Sequence, residues 1–308
     1  MLTDADVAVP VAYARSVTKA PAWHTFVIFD VLFNNLSGGL FLVAAIGELA
    51  APATFGSVAA WAYPVALVLL LADLTCLVLD LGDPLRFHHM LRVFKPSSPM
   101  SLGTWCLTAF ALVLTAIVAI ELAAGAGWVV DSPATSWART LGLVVGLPLA
   151  FGAVAYKGVL FSTTAQPGWK DARWLGAYLV NSAVMLGAGQ LLLIAALAGE
   201  PRAVALLRPV VGMLLALNLF ALALLAGELR PLLSRLYARR ELGLAALFML
   251  VVGFVLPAAA LRAGDAHVTA FVTIASLVLA SLAVRYAVVR LPHDATRSGL
   301  GEGSGIVT

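Results

Sequence analysis

The sequence predicts an all-α integral membrane protein with eight transmembrane helices. Only 11% of its 308 residues are charged and 62% are apolar, whereas soluble domains carry roughly 25% charged residues. Eight apolar runs approach or exceed the roughly 20 residues that a helix needs to cross a bilayer. The basic residues lie mostly in short segments beside these runs, so a net charge of +3 sets topology and predicts no nucleic-acid partner.

The eight predicted spans are Phe26–Ala50, Val58–Leu81, Leu102–Ala124, Leu141–Phe161, Leu175–Ala198, Ala203–Ala226, Leu242–Leu261 and Val268–Val289. The predicted domains are an N-terminal segment (1–24), a first bundle (25–164), a second bundle (165–290) and a disordered tail (291–308). Most of the 19 Lys and Arg residues, Arg285 among them, fall on the side of the termini. The positive-inside rule therefore predicts cytoplasmic termini in a bacterial inner membrane.

A polar loop with several prolines connects the second and third spans, from Leu79 to Trp105. Five of its side chains can carry positive charge and are candidates for docking a partner on the cytoplasmic face: Arg86, His88, His89, Arg92 and Lys95. The two histidines lack a third ligand nearby, so we expect docking here rather than metal binding.

Four polar groups inside the first bundle lie at similar depths. At about 1.5 Å per residue, Asp30 lies about 7 Å inside the first span and Asp73 about 12 Å inside the second. Tyr156 and Lys157 lie about 6–8 Å inside the fourth. Asp80, seven residues after Asp73, falls on the same helical face and extends this layer to the loop.

Such a layer is suited to a ligand with a hydrogen-bonding head and an apolar tail, as in a quinone. Tyr156, Asp30, His24 and Asn34 are the candidate quinone-binding residues, since quinone oxygens need hydrogen-bond donors and reduction needs two protons. In the alternative interpretation, Asp30 or Asp73 pairs with Lys157 only to hold helices together. His24 then anchors the chain at the membrane interface, and Asn34 bonds a neighbouring helix.

Other residues limit the possible cofactors and contacts. The five histidines lie at span ends, in loops or in the tail, where they cannot face one another as haem ligands, and two cysteines are too few for an iron–sulfur cluster. Glu48 and Glu121 lie near span ends, where exposure to headgroups is expected. The small residues of the first and fifth spans predict close helix contacts: Ser37, Gly38, Gly39, Gly187 and Gly189.

Two motifs resemble the NrfD/PsrC family of quinone-reacting membrane subunits in polysulfide reductase-like molybdoenzymes. The first is the run from Asp80 through Asp83-Pro84-Leu85-Arg86 to Ser98-Pro99-Met100-Ser101. The second is Tyr156-Lys157-Gly158-Val159-Leu160-Phe161-Ser162, followed by Pro167 and Trp169. The Gly38-Gly39 pair is a third point of similarity, and together these features cover the first 180 residues or so.

The resemblance implies an all-α subunit whose eight transmembrane helices form two four-helix bundles. Such a subunit holds no cofactor of its own and exchanges menaquinone or ubiquinone with the membrane. It implies a ferredoxin-like iron–sulfur subunit and a molybdopterin catalytic subunit as partners. Tyr156 matches the tyrosine that hydrogen-bonds the quinone, and Asp80 begins the loop motif. Asp30 stands where histidine is frequent, which favours proton acceptance, and Lys157 stands where a small residue is more usual.

These inferences lead to two hypotheses. In the first, the chain is a quinone-reactive anchor in which Asp30, Asp73, Asp80 and Lys157 exchange protons. In the second, it is a secondary transporter whose midplane site uses Asp73 and Lys157. A faint repeat between the first and fifth spans motivates the second hypothesis, since duplicated halves are common in transporters.

Overall fold

The computed structural model describes residue 23, residues 25–128 and residues 132–298. Over this part of the chain it confirms an all-helical fold with eight helices long and apolar enough to cross a membrane. They are α1 (Thr25–Ala50), α2 (Pro52–Leu79), α3 (Pro99–Gly125), α4 (Pro133–Ser162), α5 (Leu175–Leu197), α6 (Pro201–Leu236), α7 (Arg239–Ala260) and α8 (Ala266–Arg297). Successive helices run in opposite directions. We call the end that carries the α2–α3 loop the loop end, and the other the far end.

Several helices begin where the sequence supplies a capping side chain. Ser98 Oγ accepts a hydrogen bond from the Ser101 amide at 3.4 Å and precedes a proline at the first helical position of α3. Ser132 caps α4 in the same way. Asp265 accepts from the Val268 amide at 2.8 Å at the start of α8, and this bond lowers the pKa of the exposed Asp265 carboxyl.

The centre of the fold is the crossing of α1 and α5, which have the most completely buried faces. A side chain at Gly39 would place its Cβ 1.9 Å from the Ala183 carbonyl oxygen, and one at Gly187 would lie 2.1 Å from the backbone of Gly39. The two backbones can approach this closely only because these positions lack side chains. Asn35 Nδ2 then donates to the Leu179 carbonyl at 2.7 Å. The predicted close contacts of these glycines are confirmed.

The division into two four-helix bundles stays a prediction, because α1 and α5, one from each predicted bundle, pack directly on each other. The prediction that the tail from residue 291 onward is disordered is wrong for its first residues. Helix α8 continues to Arg297, and Leu291, Pro292 and Ala295 are buried against the other helices. The remainder of that tail, 299–308, and the N-terminal segment 1–22 lie outside the described residues.

Helix α7 is the span least attached to the rest of the molecule. A π-helical turn over Val251–Val255 interrupts it just before Pro257. Proline has no amide hydrogen to donate to the carbonyl one turn earlier, and its ring clashes with that turn, which explains the irregularity here. The loop-end half, Arg239–Leu250, has no buried residue. It therefore stands away from α6 and α8.

Candidate functional site

A buried ion-pair cluster joins three helices near the loop end. Lys157 Nζ from α4 lies 2.8 Å from Asp30 Oδ1 of α1 and 3.0 Å from Asp73 Oδ1 of α2. The contact with Asp30 is an ion pair without hydrogen-bond geometry, and Nζ donates instead to the Asp30 backbone carbonyl at 3.1 Å. The three side chains are 3%, 7% and 0% exposed. Buried charges are costly unless they are paired, and pairing is what these contacts provide.

The second oxygen of Asp73 is also occupied. Asn34 Nδ2, one helical turn after Asp30 on α1, donates to Asp73 Oδ2 at 3.1 Å. Asp73 is therefore fixed from two helices at once and is fully buried. Asn34 makes the interhelical bond that the alternative interpretation of this residue predicts.

Tyr156 lies beside this cluster because Gly103 leaves room for its ring. A Cβ at Gly103 would lie 2.0 Å from Tyr156 Cδ2. Gly103 follows the loop motif, so one small residue of α3 determines how closely α4 and its tyrosine approach. Lys157 Nζ stands 5.7 Å from the centroid of the same ring, within range of a cation–π contact.

A cavity of about 110 Å³ opens above the cluster, and it brings four of the predicted site residues together: Asp30, Asp80, Tyr156 and Lys157. Most of its other lining residues are apolar and come from α1, α2, the loop, α3 and α4. Pockets for drug-sized ligands are roughly 300–1,000 Å³. This cavity is therefore suited to a single head group whose tail lies outside it.

The other predicted quinone-binding residues do not line this cavity. Asp73 and Asn34 lie behind Lys157, away from the cavity wall. His24 lies outside the described residues, although its neighbour Trp23 lines the cavity and stacks on Trp169 with ring centroids 5.4 Å apart. The structure thus separates residues that can contact a ligand from residues that can act only through Lys157.

The loop above the cavity contains a 3₁₀ helix, Pro84–Leu91, and exposes all five predicted docking residues. Arg86 pairs with Asp83 at 3.0 Å on the surface. Apolar side chains that the sequence pattern did not mark as surface residues are exposed among them: Leu85, Phe87, Val93 and Phe94. Exposed apolar groups mixed with positive charges are typical of a protein-binding surface.

A second charged cluster lies at the far end and corrects the expectation that Glu48 and Glu121 face headgroups. Glu48 of α1 is buried and forms ion pairs with Arg139 of α4, which also binds Glu121 of α3. The Tyr63 hydroxyl donates to Glu48 Oε2 at 2.7 Å. Glu48 and Arg139 are each 18 residues from Asp30 and Lys157, respectively, which is about five helical turns. This shared spacing on two helices is visible in the sequence and could have predicted the second cluster.

Arg285 was counted among the basic residues on the side of the termini, and the structure buries its side chain between the helices. It is 2% exposed within α8 and donates to the Ser281 carbonyl at 3.0 Å, to the Ser281 hydroxyl and to Ser182 Oγ at 3.4 Å. No carboxylate of the described residues forms an ion pair with it. Val31 and Phe161 line both the small void beside Arg285 and the candidate cavity, so this cation lies directly behind the cavity wall.

Comparison with known proteins agrees with this architecture. The model of the family described as polysulphide reductase, NrfD, matches residues 16–291. A selenate reductase subunit of Mesobacillus selenatarsenatis is 29% identical over 104 residues, which cover 34% of this chain and 24% of that protein. The match thus spans about a quarter of that relative. The family match extends over most of the chain, so this multi-pass membrane protein belongs to the NrfD polysulphide reductase family.

Proposed function

We propose that this chain is the quinone-reactive membrane subunit of a multi-subunit oxidoreductase and passes electrons between an iron–sulfur subunit and the quinone pool. One observation carries the proposal. A head-group-sized cavity, lined by Tyr156, Asp30, Asp80 and Lys157, lies directly beneath an exposed loop that can dock a partner. The cavity combines these polar side chains with apolar walls, as a ligand with a polar head and an apolar tail requires.

Tyr156 is the candidate donor to a carbonyl oxygen of menaquinone or ubiquinone. Its ring packs against Gly103, and Lys157 Nζ lies 5.7 Å from the ring centroid, so both neighbours limit the position of the ring. Val27, Val31 and Phe161 line the apolar part of the cavity. They exclude water from the head group and strengthen the hydrogen bond from Tyr156.

Reduction of a quinone to a quinol takes up two electrons and two protons, and oxidation releases them. Asp30 and Asp80 line the cavity and are placed to exchange these protons with the quinone oxygens. Lys157 bridges Asp30 to Asp73, so it keeps an ionised partner when Asp30 takes up a proton. Asp73 and Asn34 act in this scheme as positioning residues.

The exposed loop is the proposed docking surface for the iron–sulfur subunit. Arg86, His88, His89, Arg92 and Lys95 supply positive charge, and the exposed apolar side chains between them supply contact area. A ferredoxin-like subunit docked here would place a cluster above the cavity and connect it to a molybdopterin catalytic subunit. The similarity to a selenate reductase subunit supports a reductase complex. The charge distribution favours the cytoplasmic face of a bacterial inner membrane.

The test uses the complete complex with Tyr156→Phe or Asp30→Asn. We expect quinone-linked turnover to fall at least about 100-fold, the usual contribution of a positioned acid or base. Dye-linked turnover of the catalytic subunit should persist, since a dye bypasses the membrane subunit. Tyr63→Phe is the matched control, because it removes a tyrosine hydroxyl from α2 at the far end, away from the cavity. Unchanged quinone-linked turnover in both variants would disprove the site.

The transporter hypothesis is less consistent with the geometry. It requires Asp73 and Lys157 to face a substrate at mid-membrane depth, whereas Asp73 is 0% exposed and its two oxygens accept from Lys157 and Asn34. Substrate uptake by proteoliposomes that contain only this chain would favour transport. Co-purification with an iron–sulfur protein would favour the quinone hypothesis.

A further inference from the structure

A large open groove lies between the loop-end portions of α6, α7 and α8, and its volume is about 710 Å³. It shares no lining residue with the candidate quinone cavity. Its walls are mainly apolar, and alanines face it from all three helices: Ala226, Ala245, Ala283 and Ala287. These small side chains leave the space between the three helices unfilled, so the alanine positions of each helix determine the groove.

The length and the walls of the groove limit the kind of occupant. It runs along α6 from Leu222 to Leu233 and reaches Tyr237 just beyond the end of the helix, a length of about 22 Å at 1.5 Å per residue. Its mainly apolar walls offer dispersion contacts along this length and few hydrogen-bond partners. An extended acyl chain meets both conditions.

The polar end of the groove lies at the loop end, at the depth expected for lipid headgroups. Its two carboxylates are already engaged. Asp294 accepts from the Tyr237 hydroxyl at 2.6 Å, and Glu241 accepts from the Ala238 amide at 2.8 Å. Burial and the adjacent Asp294 raise the pKa of Tyr237, so its hydroxyl remains protonated and keeps this bond.

The cations at this end are free to bind an anion. Arg290 lines the groove, stacks on the Tyr286 ring at 5.3 Å and donates to the Tyr286 hydroxyl at 2.5 Å. It forms no ion pair with a carboxylate of the described residues. Three further exposed arginines stand at the adjoining ends of α6 and α7, again without an ion pair in the described part of the chain: Arg235, Arg239 and Arg240.

We propose that this groove binds an anionic phospholipid, with an acyl chain between α6, α7 and α8 and the phosphate at Arg290 and the neighbouring arginines. The apolar walls match the chain, and the unpaired arginines match the negative headgroup. The bound lipid fills the space between α7 and the other helices, which the protein side chains leave open. This site goes beyond the proposed quinone function and does not depend on it.

The test is native mass spectrometry of the detergent-solubilised complex, titrated with phosphatidylglycerol or phosphatidylcholine of identical acyl chains. We expect preferential retention of phosphatidylglycerol by this subunit. Arg290→Gln should lower that preference about five-fold, the effect of one arginine near a charged lipid surface. Ala287→Trp should displace both lipids, because the indole fills the groove. Arg262→Gln and Ala116→Trp alter exposed positions elsewhere and are the matched controls.

Three outcomes would overturn the proposal. Equal retention of the two lipids would show that the arginines do not select charge. Retained quinone in place of phospholipid would assign the groove to a different ligand. A cross-link from position 245 to a partner subunit in the intact complex would assign the groove to a protein helix. Should Ala287→Trp fail to fold, as judged by gel filtration, the Arg290→Gln comparison still decides the question.

Discussion

The two charged clusters of the first four helices contain the same kinds of group in different surroundings. Each has two carboxylates, one cation and a tyrosine, and in each α1 supplies a carboxylate and α4 the cation. At the loop end the cation is Lys157, which is 3% exposed. At the far end it is Arg139, which is 23% exposed. The clusters differ in access to water and in whether the cation can release a proton.

This difference indicates different tasks. Arginine stays charged under all ordinary conditions and binds two carboxylates through its fork of donors, so Arg139 is suited to holding α1, α3 and α4 together. Lysine is a compact charge that can give up a proton. With their carboxylates ionised, both clusters carry one net negative charge. Of the two, the dry Lys157 cluster lies beside the candidate cavity, where uptake of a proton can serve the proposed quinone chemistry.

The largest expected effect comes from Lys157→Met, which leaves two buried carboxylates without a cation. Removing one partner of a buried ion pair costs about 3–5 kcal/mol of folding free energy. Arg139→Met should cost no more than about 2 kcal/mol, because water screens the partly exposed cluster. Thermal unfolding of the solubilised variants measures both effects.

The double variant Lys157→Met/Asp73→Asn should recover part of the lost stability, since it removes one of the stranded charges. Equal losses of Tm at the two ends of the bundle, without recovery in the double variant, would contradict the distinction between a dry and a wet cluster.

An exchange of the two cations separates charge from proton release. Lys157→Arg keeps the charge but removes a group that can release a proton, so quinone-linked turnover should fall about 100-fold. Arg139→Lys should change it about two-fold at most, because an exposed cation there serves stability. Turnover is measured over a range of pH. If Lys157→Arg retains full turnover and its pH profile, Lys157 serves only as a counter-charge.

The smallest effect on turnover is expected from Tyr63→Phe at the far end. It removes the 2.7 Å bond to Glu48 and should cost about 1.5–3 kcal/mol of stability, the usual range for a bond to a charged group. Quinone-linked turnover should not change. Tyr156→Phe at the loop end should show the opposite pattern, with lost turnover and little lost stability. Similar behaviour of the two tyrosines would remove the reason for treating the clusters as different.

Parts of the candidate site could be predicted because depth in the membrane follows from position along an apolar span. Asp30, Tyr156 and Lys157 were placed in one layer on that basis, and the structure brings them together with Asp80. An ion pair of Lys157 with Asp30 or Asp73 was foreseen only as an alternative to ligand binding, and the structure forms both pairs. The structure contains the ion pairs and the cavity side by side, so the two interpretations are compatible.

Glu48, Arg139 and Arg285 could not be interpreted in the same way. A charged residue near the end of an apolar run has the same local pattern whether it faces headgroups or another helix. The direction that it faces depends on the rotation of each helix about its axis, which neighbouring helices determine. Pro257 accompanies the irregular turn in α7, but the groove beside α7 needs three helices to exist.

The sequence by itself determined that the chain enters a membrane, how many times it crosses, and at what depth its polar groups lie. These properties depend on hydropathy and helical rise, which are local. The tertiary structure decided which charges are paired and which cavities are formed. The close crossing at Gly39 and Gly187 is a main determinant, since it brings α1 and α5 together and so fixes which faces the surrounding helices meet. Pairing depends on those faces, and a single span does not encode them.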